Sequence, residues 1–197
     1  MRTYFAKEAL LAHGWVRNVR IEVDELGEIA DVARDASPQG AEPLAGPVLP
    51  GMANLHSHAF QRAMAGLAEV RGRGQSDFWT WRETMYRFAL LLAPEQAQAI
   101  ALHLYIEMLR HGYTGVAEFH YVHNEPDGKP YANRAEMLLR HLAAAREAGI
   151  AITLLPSLYA WSNFGGKTLQ PRQKRFATDP AAILEMLDAA RKAAGVD

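Results

Sequence analysis

Val48–His58 reads VLPGMANLHSH, an apolar run broken once by Pro50-Gly51 and closed by two histidines. A short apolar run bounded by turn residues predicts a buried strand over Val48–Leu55. Histidines at i and i+2 on a strand point to the same face. At the end of a parallel strand, that face opens on the rim of the sheet where sites are built. Two imidazoles there can grip one divalent ion, with zinc about 2.0–2.1 Å from each nitrogen. The plainer alternative is a pair of surface histidines at the start of a loop.

Downstream, the pattern changes from strand to helix and back. In Pro94–Arg110, Ile100, Leu104 and Met108 recur at spacing four, with Pro94 at the start and Gly112 past the end, which predicts a helix. Thr114–Val122 reads as a strand. Asn133 and Glu136 resemble a capping box for a helix that runs to Gly149. Ile150–Leu158 reads as a strand, and Asp179-Pro180 opens a helix that fades at Gly195. Strands alternating with helices mean a parallel sheet covered by helices. The connection Ala59–Ala93 reads as a long loop, and loops of that length are usually functional.

Upstream, residues 1–47 form a different region. Val16–Val23 and Glu28–Ala33 partly alternate apolar and polar residues around Gly27, giving short strands. Ser37–Pro47 is rich in Pro, Gly and Ala and reads as a linker. The expected organisation is a small β piece over 1–47 and an α/β region over 48–197. That region supplies three βα units, fewer than the eight of a (β/α)8 barrel, which takes roughly 250 residues. A small three-layer sandwich and the front of a barrel both fit.

The whole chain has 197 residues, 21 Lys plus Arg against 22 Asp plus Glu, and no cysteine. A net charge of −1 supplies no long-range attraction for nucleic acid or an anionic membrane. The lack of cysteine excludes disulfides, thiolate nucleophiles and Cys-type zinc sites, and fits a reducing cytoplasm. No signal peptide is readable at the N-terminus, and no stretch reaches the roughly 18 apolar residues that a membrane span needs.

Further candidates lie along the chain. Glu118, His120 and His123 cluster at the end of the Thr114–Val122 strand, where a metal or acid–base role and simple lining of the rim are both open. His13, His103, His111 and His141 read as solvated or locally bonded. Phe78–Phe88 (FWTWRETMYRF) suits an aromatic wall around an arginine that holds a small carboxylate, since the guanidinium fork matches it bidentately. A helix packing its aromatics on the sheet edge is the alternative. Arg71-Gly72-Arg73-Gly74 reads as a mobile loop tip, and Phe164-Gly165-Gly166-Lys167 as an ordinary turn.

The motif Pro50-Gly51 with Asn54-Leu55-His56-Ser57-His58 resembles the first-strand motif of the amidohydrolase superfamily. Together, Asn54–Gly66 (NLHSHAFQRAMAG), Phe78–Tyr86 (FWTWRETMY) and Glu118–Tyr121 (EFHY) resemble the N-formimino-L-glutamate deiminases within it. The resemblance runs from about residue 4 to residue 180. It implies the first three βα units of a (β/α)8 TIM-type barrel, preceded by part of a small β-sandwich. It implies one zinc ion per complete active site, a cytoplasmic role in histidine degradation, and room for a homodimer of the complete enzyme. The implied reaction converts N-formimino-L-glutamate to N-formyl-L-glutamate and ammonia, with zinc activating water.

By the same resemblance His56 and His58 are zinc ligands, and Gln61, Arg82 and Tyr121 contact a small acidic substrate. The remaining ligands and the acid–base residue belong to later strands, so the chain is expected to be an N-terminal fragment, inactive by itself and prone either to aggregate or to pair through an open sheet edge. Two other readings stand beside it: an amidohydrolase deaminase acting on a purine-type base or nucleoside, and a non-catalytic metal-binding fragment. Arg82 with Gln61 favours an acidic aliphatic substrate, because a flat base needs stacking instead.

Overall fold

The computed structural model describes residues 1–68 and 78–195. The Arg71-Gly72-Arg73-Gly74 tip lies outside the described residues. The chain divides into two compact units, Met1–Gly51 and Met52–Asp197.

In the first unit, β1 (Arg2–Leu11), β2 (Gly14–Val23), β3 (Ile29–Ala33) and β4 (Glu42–Pro43) form one sheet in the order β3-β2-β1-β4. β1 and β2 pair antiparallel with Leu11 opposite Gly14, and β1 pairs parallel with β4. Ala6, Ala9 and Val19 are its buried centre. The strands expected from residues 16 and 28 appear as β2 and β3. β1 carries Arg2, Lys7 and Glu8 among its apolar residues, and its sequence pattern did not announce it. The expected linker holds β4.

The strand expected over Val48–Leu55 is shifted. Val48 bridges to Ala9 in the first unit, where its N–H donates to the Glu8 carbonyl at 2.9 Å. Pro50 lacks an N–H and has a fixed φ, so ladder pairing resumes only beyond it. The strand, β5, runs Met52–Ser57. It lies at a sheet edge, and Leu55 is 76% exposed, so the strand is not the buried one expected.

In the second unit, β5, β6 (Tyr113–His120) and β7 (Ala151–Pro156) form a parallel sheet in the order β5-β6-β7. Among the described residues four helices accompany it: α1 (Phe78–Leu91), α2 (Pro94–Arg110), α3 (Glu136–Ala148) and α4 (Pro180–Ala194). Ala101, Tyr105 and Met108 of α2 and Ala144 and Ala145 of α3 pack with Val116 of β6. The α4 residues Ala182, Met186 and Ala190 pack on Leu138 of α3.

Local chemistry sets the helix ends. Pro94 opens α2, and the Ala93 N–H donates to the Gln96 side chain at 2.9 Å. The Asp179 carboxylate accepts the Ala182 N–H at 2.9 Å, as an N-cap should. Gly195 ends α4 in the left-handed conformation that glycine adopts without strain. The capping box expected from Asn133 does not form. Asn133 instead accepts the Ala135 N–H at 3.0 Å, and Glu136 pairs with Arg140 at 2.6 Å.

The connection expected as a loop over Ala59–Ala93 contains a 3₁₀ helix, Ala59–Met64, and α1. Met85, Tyr86 and Ala89 of α1 are buried in one cluster with Phe60, Met64 and Phe176. Tertiary packing of that face, rather than a clear apolar period, holds α1 in place.

Candidate metal and substrate site

His56 and His58 sit at the end of β5 and turn their rings to a common point. Their Nε2 atoms are 3.1 Å apart. Phe119, on the neighbouring strand, fixes both rings. Its carbonyl accepts from His58 Nδ1 at 2.8 Å, and its ring lies 4.5 Å from that of His56. A proton on Nδ1 leaves His58 Nε2 with a lone pair. A backbone carbonyl holding a ligand histidine in this way is a common support of metal sites.

The pair fits a divalent ion. Two nitrogens bound tetrahedrally to one zinc lie about 3.3 Å apart, close to the separation seen. Among the described residues no group of three or more His, Asp or Glu is placed to hold a metal ion.

Gln61 and Tyr121 come together beside this pair. The Gln61 amide donates to the Tyr121 hydroxyl at 2.8 Å, and the Tyr121 ring meets His58 edge-on at 4.9 Å. Burial pushes the Tyr121 phenol above its usual pKa, so it is a neutral hydroxyl at pH 7.

Arg82 belongs to an adjoining group. From Tyr121, ring contacts pass to Phe176 at 5.4 Å and on to Tyr159 at 5.5 Å. The Tyr159 hydroxyl accepts from Arg82 Nη2 at 3.5 Å. The Arg82 guanidinium also lies 5.2 Å from the Tyr86 ring centre and 5.7 Å from that of Trp79, within cation–π range. Neighbouring Glu83 pairs with Arg172. Among the described residues Arg82 pairs with no carboxylate, and it lines a polar cavity of about 200 Å³ together with Glu83, Asn163, Lys167 and Arg172. The Phe78–Phe88 segment is a helix with packed aromatics, and it also places Arg82 at a cavity. Phe164–Lys167 forms the expected turn, with Gly165 and Gly166 at positive φ.

Glu118, His120 and His123 do not join the His56–His58 pair. Glu118 accepts the Ala59 N–H at 2.7 Å and the Tyr105 hydroxyl at 3.2 Å, beneath α2. His120 packs against His123 at 4.9 Å and His141 at 5.0 Å. All three histidines are at most 3% exposed. His141, expected to be solvated or bonded only locally, is buried 3.4 Å from the Tyr105 hydroxyl. Alternation explains this: 116, 118 and 120 share the helix-covered face of β6, while Phe119 shares the face of the His pair. Burial, then the neighbouring His123 and His141, hold His120 well below the usual histidine pKa, and burial lowers His123 to about 4.

Three residues near the site escaped the sequence reading: Gln173, Arg175 and Phe176. They lie in the 3₁₀ helix Pro171–Phe176, where Arg172, Lys174 and Arg175 give the look of a solvated surface. Arg175 is fully buried. It donates to the carbonyls of Ala89 and Leu92, to the Asn124 carbonyl at 3.0 Å and to the Tyr131 hydroxyl at 3.3 Å.

Residues 48–195 match the amidohydrolase family, and residues 1–46 match the N-terminal domain of formimidoylglutamate deiminase HutF. A formimidoylglutamate deiminase from Pseudomonas aeruginosa is 56% identical over 97% of this chain, which covers 42% of that protein. The crystal structure of an amidohydrolase from Brucella melitensis is 48% identical, with a TM-score of 0.90 over 98% of this chain and 43% of that one. Atrazine chlorohydrolase TrzN from Arthrobacter aurescens, crystallised with zinc, is 16% identical with a TM-score of 0.70; this chain is covered to 98% and that one to 43%, and at that identity the likeness is one of fold alone. The chain thus spans less than half the length of the relatives it matches. With the parallel sheet and the paired histidines at its rim, the match over residues 48–195 shows that the chain belongs to the amidohydrolase family.

Proposed function

We propose that the intact protein hydrolyses N-formimino-L-glutamate to N-formyl-L-glutamate and ammonia in the cytoplasm. Its second unit would supply the first three βα units of a (β/α)8 barrel. The observation that carries the reading is the pair of convergent imidazole nitrogens, with a guanidinium in the adjoining group that has no carboxylate partner among the described residues. The strong likeness to the Pseudomonas aeruginosa deiminase supports it.

His56 and His58 would hold a divalent ion, with zinc the proposed metal. Such an ion supplies Lewis acidity and brings the pKa of water from 15.7 to about 7. The chain's own groups do the positioning. The Phe119 carbonyl keeps His58 Nε2 free to coordinate. Gln61 donates to Tyr121, so the phenolic O–H is left to donate toward the reacting end of the substrate. Arg82 receives a carboxylate remote from the scissile C–N bond. Fixing both ends of a flexible substrate lowers the barrier by orienting the formimino carbon.

Arg82→Met is expected to raise KM by about 10- to 150-fold, the worth of a lost charge-assisted pair. Arg82→Lys should recover only part of this, because an ammonium lacks the fork. Steady-state ammonia release with N-formimino-L-glutamate measures both, and an unchanged KM in Arg82→Met removes Arg82 from the site.

A separate expectation concerns the metal. His56→Ala and His58→Ala should each lower the bound zinc of purified intact protein, read by atomic emission, with the circular dichroism spectrum kept. Full zinc occupancy in both variants overturns the ligand assignment.

A further inference from the structure

Glu118 is 1% exposed and stands apart from the His56–His58 pair, yet it is bonded to the chain immediately after His58. Its Oε1 accepts the Ala59 N–H at 2.7 Å. Ala59 opens the 3₁₀ helix Ala59–Met64, and the first N–H groups of a helix have no partner within it. The carbonyl of the same peptide bond, that of His58, accepts the Gln61 N–H at 2.9 Å. The peptide plane joining His58 to Ala59 is therefore held at both its polar atoms. The His58 ring is held separately, through Nδ1 on the Phe119 carbonyl at 2.8 Å. Glu118 and Phe119 are neighbours on β6, so one strand end grips His58 by its ring and by the backbone that follows it.

The other carboxylate oxygen is also bonded. Tyr105, with no exposed surface, donates its O–H to Glu118 Oε2 at 3.2 Å. Burial, then the Glu118 charge, raise the phenol pKa, which keeps that proton on Tyr105. The phenol has one proton, so its oxygen accepts from His141 Nδ1 at 3.4 Å. A buried carboxylate is a costly way to fill space beneath α2. What it supplies that an apolar side chain cannot is an acceptor aimed at the Ala59 N–H.

We infer that Glu118 is a positioning residue for the metal site: by fixing the peptide after His58, it holds His58 Nε2 on the point shared with His56. Tyr105 orients Glu118 for this task. The inference rests on the proposed metal role of His56 and His58 and is independent of the substrate. Position, rather than charge, is what Glu118 delivers. In Glu118→Gln one oxygen remains for the Ala59 N–H, and the amide can donate to Tyr105, whose O–H then turns to His141 Nδ1. Glu118→Leu fills a similar volume but removes the acceptor, and the peptide plane is then held on one side only.

Two readouts on the intact, metal-stripped protein test this. The first is zinc affinity, by competition with a chromophoric chelator. Glu118→Leu should weaken it by about 10- to 100-fold, the usual effect of losing a support of a ligand histidine. Glu118→Gln should stay within about threefold of wild type, because a neutral acceptor meets the same N–H. The second is the imidazole N–H spectrum of isotope-labelled histidine, in which the His58 signal is the one lost in His58→Gln. Wild type and Glu118→Gln should show a protected His58 Nδ1–H. Glu118→Leu should lose it and keep the signal of His123, whose Nε2 donates to the Ser157 carbonyl at 3.0 Å. General loss of structure removes both signals.

The inference is overturned if Glu118→Leu keeps the wild-type zinc affinity or the His58 signal, or if Glu118→Gln is impaired as much as Glu118→Leu. Should Glu118→Leu lose the His123 signal as well, Tyr105→Phe carries the test. With Glu118 no longer oriented, the His58 signal should weaken and zinc affinity should fall by about 2- to 10-fold; no change in either overturns the inference. The metal reading fails separately, if wild type binds no zinc while the His58 signal follows Glu118 as expected.

Discussion

Arg175→Met should destabilise the protein by about 3–5 kcal/mol, the largest effect expected of a single substitution here. Arg175 has no exposed surface, and its guanidinium stitches together three pieces of chain. It reaches the last turn of α1 at Ala89, the turn after it at Leu92, and the segment after β6 at Asn124. Those carbonyls have their donor in Arg175. Methionine fills much of the volume but donates nothing, so buried acceptors lose their partners, each at a cost of about 1–3 kcal/mol before relaxation. For a chain of this length the melting temperature should fall by roughly 6–20 °C. Arg175→Lys should recover less than half, because one ammonium cannot span the carbonyls that the fork reaches. Urea unfolding followed by circular dichroism measures the difference, and a loss below about 1 kcal/mol would show that water replaces the guanidinium.

Acidification should be nearly as damaging. His120, His123 and His141 are buried, and burial lowers all three pKa values in the folded state. A histidine with a depressed folded pKa leaves the unfolded state holding more protons, so stability falls as pH falls. The loss begins near the unfolded value of about 6.5 and, for His123, is complete below about 4. His123 alone accounts for about 3 kcal/mol across that window. His123→Phe should flatten the pH profile of the melting temperature between 6.5 and 4 while leaving the profile above pH 7 unchanged. An equally steep profile in that variant assigns the acid sensitivity to other groups. Carboxylates such as Glu107, whose pKa the Arg62 hydrogen bond lowers, act at more acidic pH.

The residues themselves carried much of the architecture. Pro94 and the apolar spacing of four determined α2 to its ends, since they act within one helix and need no partner. Asp179-Pro180 likewise opened α4 through a local bond to Ala182. The H-x-H spacing put two imidazoles on one face because a strand repeats every two residues, whatever surrounds it. Other features arise only from residues far apart in the chain. β1 is a strand because β2 and β4 pair with it, although its own pattern is irregular. Glu118 and His120 lie on the opposite face of β6 from Phe119, and only the packing of α2 and α3 shows which face is covered. The Ala59–Ala93 connection contains a helix because Met85, Tyr86 and Ala89 find Phe60 and Phe176.

The same division holds at the site. Sequence placed His56 and His58 on one face of the strand, and through family likeness it pointed to Gln61, Arg82 and Tyr121. Tertiary structure alone decided which of these meet: Gln61 with Tyr121 beside the His pair, and Arg82 across Phe176 in an adjoining cavity. It also decided that, of three basic residues in one short 3₁₀ helix, Arg175 is buried and Arg172 pairs at the surface with Glu83. The physical reason is that burial and hydrogen-bond partners come from segments 44 to 89 positions apart in the chain, and no local period encodes them.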